Sequence, residues 1–353
     1  MKKTGLLKIH SIAGLIVGLF IFALSVSGAL LALREPIDAL QKPTVGYDVT
    51  KPTIGLDSCY TIVRTHYPNA QISNCSLPDK NTLPVSFFIY EPSYKGGSKT
   101  LEVFIHPQTG AILGTRGGSD DISHNFMSWL SAFHSSFHAG KTGEWLLGVF
   151  ATIFLLSVIT GIILYRRNII AVLLFKKSVW KKSNLHQLIG TWALLFNLMI
   201  GVTGFWMQRY VFKKEFYQSY DWVNTVKPSP ALFFNFDSAY TQVKKDHPDF
   251  TAYVIYFTAS KKGKTAVYGS KSTNAFIHSK KFADVVFLDS TGAVSKTRFI
   301  NEIDPADRYD IINSQLHMGK YGGMGIKIIY ALLGISSALL SITGFLLWRR
   351  RRK

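Results

Sequence analysis

Four long apolar runs constrain this chain more than any other feature of its sequence. Each run has 21 to 23 residues and contains no Asp, Glu, Lys or Arg. About 20 apolar residues in a helix cross the hydrocarbon core of a bilayer, and four such runs are not expected from the buried helices of a soluble protein. We therefore predict four transmembrane helices, within Ser11–Leu33, Trp145–Tyr165, Gln187–Gln208 and Ile328–Trp348.

Positive charge at the helix ends predicts the orientation. Three short flanking segments carry 3, 6 and 5 Lys or Arg residues and no acidic residue, namely Met1–His10, Arg166–Asn184 and Arg349–Lys353. By the positive-inside rule, both termini and the short loop are expected to be cytoplasmic. The net charge of +19 is thus a topology signal. No basic stripe remains to support nucleic-acid binding.

These predictions divide the chain into seven segments. Transmembrane helices lie within 1–34, 144–167, 185–208 and 326–353, the last with a basic cytoplasmic tail; a cytoplasmic loop lies at 168–184, and periplasmic domains at 35–143 and 209–325. We expect the first helix to be an uncleaved signal anchor, because its apolar run exceeds an ordinary h-region and no clear small-residue cleavage site precedes Arg34.

The two cysteines, Cys59 and Cys75, both fall in the first periplasmic segment. An oxidising compartment permits a disulfide between them, but the sequence leaves open whether their geometry does. The sequence contains no CxxCH, the signature of covalent c-type haem attachment.

Internal repeats indicate that the chain is a duplication. Matches that recur in the same order, with a slowly drifting offset, are typical of repeated architecture. At an offset of 176, His10, Gly14 and Ser27-Gly28 recur as His186, Gly190 and Thr203-Gly204; at an offset of 183, His134 and Thr160-Gly161 recur as His317 and Thr343-Gly344. Each half is thus one helix, one external domain and one helix.

Each external segment is predicted to be α+β. Asp57 and Asp237 are interpreted as N-caps of one helix per segment, since a side-chain oxygen there accepts from orphan N–H groups. Alternating stretches predict strands, and Thr-Gly pairs predict hairpin turns. These strands are Val85–Tyr90, Leu101–Ile105, Ala252–Phe257 and Asp284–Leu288, with turns at Thr109-Gly110 and Thr291-Gly292. The expected fold is a membrane α+β protein, a bundle of four transmembrane helices with two periplasmic α+β domains.

Four histidines at helix ends form two matched pairs. Parallel repeats in a membrane are related by an approximate two-fold axis along the membrane normal. His10 should then face His186 near the cytoplasmic side, and His134 should face His317 near the outer side. Two neutral imidazoles on opposite sides of a flat apolar ring are what axial ligation of haem iron requires. Bundle interiors are common places for such sites.

Small residues beside the histidines favour a bulky ligand. Gly14 and Gly190 each follow a histidine by four residues and lie on the same helix face, which leaves space for a macrocycle. Zinc, copper and a purely structural role remain as alternatives, although zinc normally takes four ligands and no carboxylate or cysteine accompanies these pairs. His138, four residues after His134, is an alternative outer ligand or a neighbour of the cofactor.

Four motifs carry a family resemblance over nearly the whole chain. They are His10-x3-Gly14, Phe133-His134-x5-Gly140-x2-Gly143-x-Trp145, Leu185-His186-x3-Gly190-x-Trp192 and Leu316-His317-x-Gly319-x2-Gly322-Gly323. The chain is similar to the PepSY-associated transmembrane family of iron-regulated inner-membrane proteins, which includes ferrisiderophore reductases of the FoxB and PiuB kind. The stretch Val103–Gly110 resembles the PepSY hairpin, so both periplasmic domains are expected to be PepSY-like.

The resemblance implies an oxidoreductase with two haem b groups, held by His10 and His186 and by His134 and His317, that passes electrons to periplasmic ferric chelates such as siderophores. The family tends to have an apolar residue in place of His138. No GxGxxG opens a nucleotide-binding fold, so the electron donor is expected to be a quinol or a separate reductase. A competing hypothesis is a non-enzymatic PepSY membrane protein that binds a peptide or partner in assembly or regulation. Metal transport is disfavoured because the four apolar runs contain no acidic residue.

Overall fold

A computed structural model describes residues 3–46, 48, 50–78, 82–92, 98–180, 184–218, 227–258, 263–272 and 277–351. Five basic residues used in the orientation prediction lie outside these ranges, namely Lys2, Lys181, Lys182, Arg352 and Lys353. The chain forms two compact units. The membrane unit comprises Met1–Arg34, Leu130–Gln218 and Asn313–Lys353, and the sheet unit comprises Glu35–Trp129 and Ser219–Ile312.

The order of elements is similar in the two parts of the chain. The first part contains α1 (Lys3–Ala32), α2 (Arg34–Ala39), α3 (Leu56–His66), β1 (Gln71–Ser76), β2 (Val85–Pro92), β3 (Ser98–Ile105), β4 (Ile112–Gly117), α4 (Phe126–Ser136) and α5 (Gly140–Tyr165). Two short helices follow, α6 (Ile169–Leu173) and α7 (Lys177–Trp180). The second part contains α8 (Leu185–Trp192), α9 (Leu194–Gln208), a 3-10 turn (Arg209–Phe212), α10 (Lys214–Gln218), α11 (Phe236–Asp246), β5 (Thr251–Tyr256), β6 (Thr265–Ser270), β7 (Asp284–Leu288), β8 (Val294–Arg298), α12 (Pro305–Met318) and α13 (Gly323–Arg350).

Among the described residues, three helices are long and apolar enough to cross a membrane, namely α1, α5 and α13, and the bent pair of α8 and α9 gives a fourth. The chain is therefore a membrane protein with three or four spans. Within the predicted span Gln187–Gln208 the helix axis bends by 67° at Ala193, between α8 and α9. Thr191 Oγ1 donates to the carbonyl oxygen of Gln187 at 2.8 Å, a type of hydrogen bond that often bends helices.

In the membrane unit, α1 lies between α5 and α13, and α8 packs against α13. The α5 helix also contacts α9. Val17, Ile21 and Phe150 form a buried apolar cluster at one of these contacts. Large apolar side chains elsewhere face outward, including Leu19 and Leu195, which are 76% and 81% exposed. Apolar exposure on this scale is typical of a lipid-facing surface.

The sheet unit contains one antiparallel sheet with the strand order β4-β3-β2-β1-β5-β6-β7-β8. Its centre is the pairing of β1 with β5, in which Cys75 lies opposite Ile255. The segments that we predicted as two domains, 35–143 and 209–325, therefore contribute four strands each to a single sheet. In separate domains β1 and β5 would be unpaired edges, and their pairing satisfies the hydrogen-bonding groups of both.

Within the sheet, all four predicted strands are present, in β2, β3, β5 and β7. Both predicted hairpin turns are confirmed: Gly110 between β3 and β4 and Gly292 between β7 and β8 have φ values of 75° and 87°, which favour glycine. The other four strands were not predicted.

Asp57 and Asp237 do not cap their own helices, which corrects the prediction. The N-cap residues are Gly55 for α3 and Asn235 for α11. Each aspartate instead caps the other helix. The Asp237 carboxylate accepts two backbone N–H groups at the start of α3, at 2.9 and 3.2 Å. The Asp57 carboxylate accepts two at the start of α11, at 2.9 and 2.8 Å. Burial and the hydrogen bond to Asp57 raise the pKa of Asp237.

Cys59 of α3 and Cys75 of β1 are free thiols in the apolar core of the sheet unit. Burial raises the pKa of Cys59 to about 12 and that of Cys75 well above its usual value. Neither thiol is therefore a ready nucleophile.

Candidate functional site

His10 and His186 meet inside the membrane unit. Their ring centroids are 6.2 Å apart, and the ring planes are inclined at 73°. Two imidazoles bound on opposite sides of one metal ion have centroids about 6 Å apart, because each metal–nitrogen bond is about 2 Å long. The observed separation therefore matches that of a pair of axial ligands.

The Nδ1 atom of His10 is fixed by α5. It lies 3.0 Å from the carbonyl oxygen of Ser157 and 3.1 Å from Thr160 Oγ1. A carbonyl can only accept, so Nδ1 carries the proton. Thr160 Oγ1 donates its own proton to the carbonyl oxygen of Leu156 at 2.8 Å and is thus also an acceptor for the ring. Nε2 is left unprotonated, which is the tautomer that binds a metal.

His186 is held in the same way by α13. Its Nδ1 lies 3.0 Å from Thr343 Oγ1. The Thr343 hydroxyl donates to the carbonyl oxygen of Leu339 at 2.7 Å, so it accepts from the imidazole. His186 therefore also presents an unprotonated Nε2, and the two facing histidines have matching tautomers.

His134 of α4 and His317 of α12 repeat this arrangement. His134 Nδ1 lies 2.8 Å from Ser27 Oγ of α1, and His317 Nδ1 lies 3.0 Å from Thr203 Oγ1 of α9. Each hydroxyl donates to a carbonyl of its own helix, at 3.1 and 2.7 Å. All four predicted histidines thus have Nδ1 bonded to a hydroxyl and Nε2 available.

His134 and His317 lie outside the four candidate spans. Burial lowers the pKa of each imidazole to about 4, and the other histidine contributes further to the lowering at His317. An imidazole with such a pKa is neutral at neutral pH, and the neutral form is the one that ligates metals.

A glycine follows each of the four hydroxyl residues and lies against the same imidazole. A side chain at this position would crowd the ring, so each Ser/Thr-Gly dipeptide both bonds the ring and leaves room for it. The distances from an added Cβ to the imidazole Cε1 are 3.0 Å at Gly28, 3.2 Å at Gly161, 3.0 Å at Gly204 and 3.3 Å at Gly344.

In the sequence these four dipeptides stand out as repeat markers, but their contact with the histidines was not predicted. The signal was present: a Ser/Thr-Gly pair recurs at a matched position in each of the four apolar runs. In a transmembrane helix, such small polar pairs usually indicate close packing between helices. Assigning each dipeptide to a histidine required knowledge of which helices are neighbours.

A cavity of about 1060 Å³ lies beside His10 and His186. Apolar side chains dominate its lining, which also includes Gly14 and Gly190. An added Cβ at Gly14 or Gly190 would lie 3.8 or 3.5 Å from its nearest neighbour, an ordinary contact. The cavity volume slightly exceeds the usual range for small-molecule pockets, about 300–1,000 Å³. A large, flat, apolar ring suits this space.

His138 differs from the other four histidines. It is exposed, its φ of 56° is in the left-handed region, and its ring centroid lies 6.3 Å from that of Phe133. In the same segment, His134 has the hydroxyl and glycine contacts that the matched histidines share. Of the two, His134 therefore has the more ligand-like surroundings.

A multi-ligand metal centre finds no support in the part of the chain that the structure describes. No three His, Cys, Asp or Glu side chains come together there in a group that could hold a metal ion. Two histidines facing each other beside an apolar cavity suit a metal whose other ligands come from a macrocycle.

Comparison with protein families identifies a family that matches nearly the whole chain. The family described as PepSY-associated TM region matches residues 7–351, which includes all four paired histidines and their hydroxyl partners. A comparison with curated proteins finds no match.

Proposed function

Because this chain belongs to the PepSY-associated transmembrane family, we propose that it is a di-haem b reductase of the bacterial inner membrane that passes electrons to periplasmic ferric siderophores. One observation carries the proposal: four histidines, matched in sequence, each have Nδ1 bonded to a hydroxyl and Nε2 available. His10 and His186 would hold one haem, and His134 and His317 the other. When bound, haem supplies reversible one-electron chemistry.

The residues of the chain set the conditions for that chemistry. Thr160, Thr343, Ser27 and Thr203 hold the proton at Nδ1 of their histidines and so orient Nε2. Such outer contacts fix the tautomer and raise the basicity of a ligand. The apolar helices around the cavity exclude water and keep the local dielectric constant low, which tunes the redox potential.

We also propose that the chain arose by duplication. In support, each histidine of the first half and its counterpart in the second half bond to counterpart residues. His10 pairs with Thr160 as His186 pairs with Thr343, and His134 pairs with Ser27 as His317 pairs with Thr203. The two halves would supply one ligand each to both haem groups.

Reduction would lower the affinity of the chelator for its iron ion, because hard oxygen ligands favour Fe(III) over Fe(II). The electron donor would be a quinol or a separate reductase. The positive-inside rule places both termini in the cytoplasm, so His134 and His317 would lie toward the periplasm. The ferric siderophore is the substrate in this scheme.

The proposal is tested by the absorption spectrum of the purified protein and by its reoxidation with a ferric siderophore. Purified protein from cells with ample haem should show a Soret band, and dithionite should sharpen b-type α bands. A ferric hydroxamate siderophore should then reoxidise the reduced protein and yield Fe(II), which a ferrous-specific dye traps. The gallium siderophore is the matched control, because Ga(III) is not reduced under these conditions.

Each outcome decides one part of the proposal. A colourless protein would refute the haem sites and favour the non-enzymatic binding function. A coloured protein that ferric siderophore fails to reoxidise would refute the substrate assignment alone. His134→Ala and His317→Ala should each lose the outer haem and retain the inner one, whereas an unchanged spectrum in both would move the outer ligand to His138 or elsewhere.

A further inference from the structure

The cavity beside His10 and His186 also reaches a second polar site, formed by Asn197 and Ser337. We call this part of the cavity the deeper level. Gly344 and Ser337 both line the cavity and are seven residues apart on α13, about 10 Å along the helix axis. Gly344 lies against His186, whereas Ser337 is hydrogen-bonded to Asn197 of α9. The histidines and the pair formed by Asn197 and Ser337 therefore occupy different levels of one cavity.

Asn197 carries an unsatisfied amide at this deeper level. Asn197 is 3% exposed, and its Oδ1 accepts a hydrogen bond from Ser337 Oγ. Its Nδ2 has no hydrogen-bond acceptor among the described residues. A buried N–H group without an acceptor is costly, and more so within a membrane, where water does not compensate. Nδ2 has no accessible surface of its own, so the Asn197 side chain would turn toward the cavity for a ligand oxygen to accept from Nδ2 and remove this cost.

The polar groups of the deeper level belong to one half of the chain. By the repeat offsets, Asn197 corresponds to Ile21 and Ser337 corresponds to Phe154. The helix break has the same asymmetry, since α1 runs through the equivalent position while the second span bends by 67° between α8 and α9. Broken spans in membrane proteins commonly line binding cavities. The matched histidine sites share neither feature, so a role separate from histidine ligation accounts for the asymmetry.

Some of the apolar side chains that line the cavity are strongly exposed, as side chains on a lipid-facing surface are. Leu19, Ile342 and Phe345 line it, yet they are 76%, 45% and 48% exposed. Among the described lining residues, Arg351 is the sole Lys or Arg. It is 14 residues from Ser337 on the chain, about 21 Å along a helix axis. The deeper level thus suits a neutral ligand that arrives through the bilayer.

We propose that the level of Asn197 and Ser337 binds the ring of a membrane quinone or quinol, with Asn197 Nδ2 donating to a ring oxygen. Such a ring is flat, neutral and lipid-soluble, and its oxygens accept hydrogen bonds. The inference rests on the proposed electron relay, for which a quinol at this site is the donor. When two O–H bonds of one quinol break, it becomes a quinone and gives up two electrons and two protons. Two ferric ions take one electron each, and the protons pass to water.

The test measures binding separately from haem content. Decylubiquinone is titrated into the purified full-length protein in nanodiscs by isothermal calorimetry, with empty nanodiscs as the blank. The wild type should bind it saturably. Asn197→Leu should weaken binding about tenfold or more, as expected for the loss of a buried hydrogen bond. Ser336→Ala is the matched control, because this neighbouring hydroxyl bonds to its own helix at Leu333, and it should leave affinity unchanged.

The outcomes separate this inference from the proposed function. No saturable binding by haem-containing wild type, or wild-type affinity in Asn197→Leu, would overturn the quinone site and leave the haem proposal standing. If Asn197→Leu lost haem but kept its affinity for quinone, the Asn197 amide would contribute to haem binding and not to quinone binding. A colourless wild type that binds quinone would refute the relay while keeping the site.

Discussion

Replacing Thr203 with valine should weaken the outer haem site far more than the same change at Thr160 weakens the inner one. Thr203 is 5% exposed, and its hydroxyl is the hydrogen-bond partner of His317 Nδ1 among the described residues. His10 Nδ1 has two partners, Thr160 Oγ1 and the backbone carbonyl of Ser157. Valine keeps the shape of threonine and removes only the hydroxyl.

The expected magnitudes follow from these contacts. Thr203→Val leaves the buried N–H of His317 without an acceptor, which costs about 1–3 kcal/mol. Loss of an outer-shell partner typically lowers metal affinity by about 10- to 100-fold, the same range of free energy. Thr160→Val leaves the Ser157 carbonyl in place at 3.0 Å, so its effect should stay well below tenfold.

The assay is haem titration of the apo-protein, followed at the Soret band. Each haem site is measured in a variant in which a histidine of the other site is replaced by alanine. Thermal unfolding of each apo-variant controls for misfolding. The reasoning is refuted if Thr160→Val lowers haem affinity as much as Thr203→Val does, or if neither variant differs from wild type.

Two further predictions concern packing and pH. Gly204→Ala should displace His317, because the imidazole Cε1 would lie 3.0 Å from the new Cβ, and should therefore lower the outer haem content. Gly325→Ala is the control, because Gly325 has open space around it, and it should leave the haem content unchanged. The haem-to-protein ratio of each variant measures the effect. The raised pKa of Asp237 implies stability that is fully present below its usual pKa of 3.8 and is lost as pH rises through the raised value. The midpoint of thermal unfolding should therefore fall over that window, and Asp237→Asn should flatten the profile; an unchanged slope in the variant would contradict the assignment.

The spans and the histidine pairing could be predicted because both leave periodic or repeated signals in the sequence. Uncharged runs of membrane length locate three helices closely, and the matched offsets bring His10 to His186. The break at Ala193 could not be predicted, since neither proline nor a charged residue marks it. Thr191 bonds to the carbonyl four residues earlier, beside the break, but Thr160, Thr203 and Thr343 make the same bond within continuous helices, so it does not mark the break in the sequence.

The sheet shows a different limit of sequence reasoning. Alternation and turn residues located β2, β3, β5 and β7, but pairing between distant strands leaves no local signal. The joining of β1 to β5 therefore escaped prediction. The same holds for Asp57 and Asp237, whose position suggested ordinary N-caps. Each carboxylate reaches a helix about 180 residues away, so its partner could be identified only in three dimensions.

The most direct test of the account is the number and axial ligation of haem groups in the purified full-length protein. A haem assay gives the haem-to-protein ratio, and near-infrared magnetic circular dichroism of the oxidised protein identifies the axial ligands. The account predicts two low-spin haem b groups per chain, both with two histidine ligands. A chain without haem, or one whose haem has a methionine or water ligand in place of a second histidine, would contradict it.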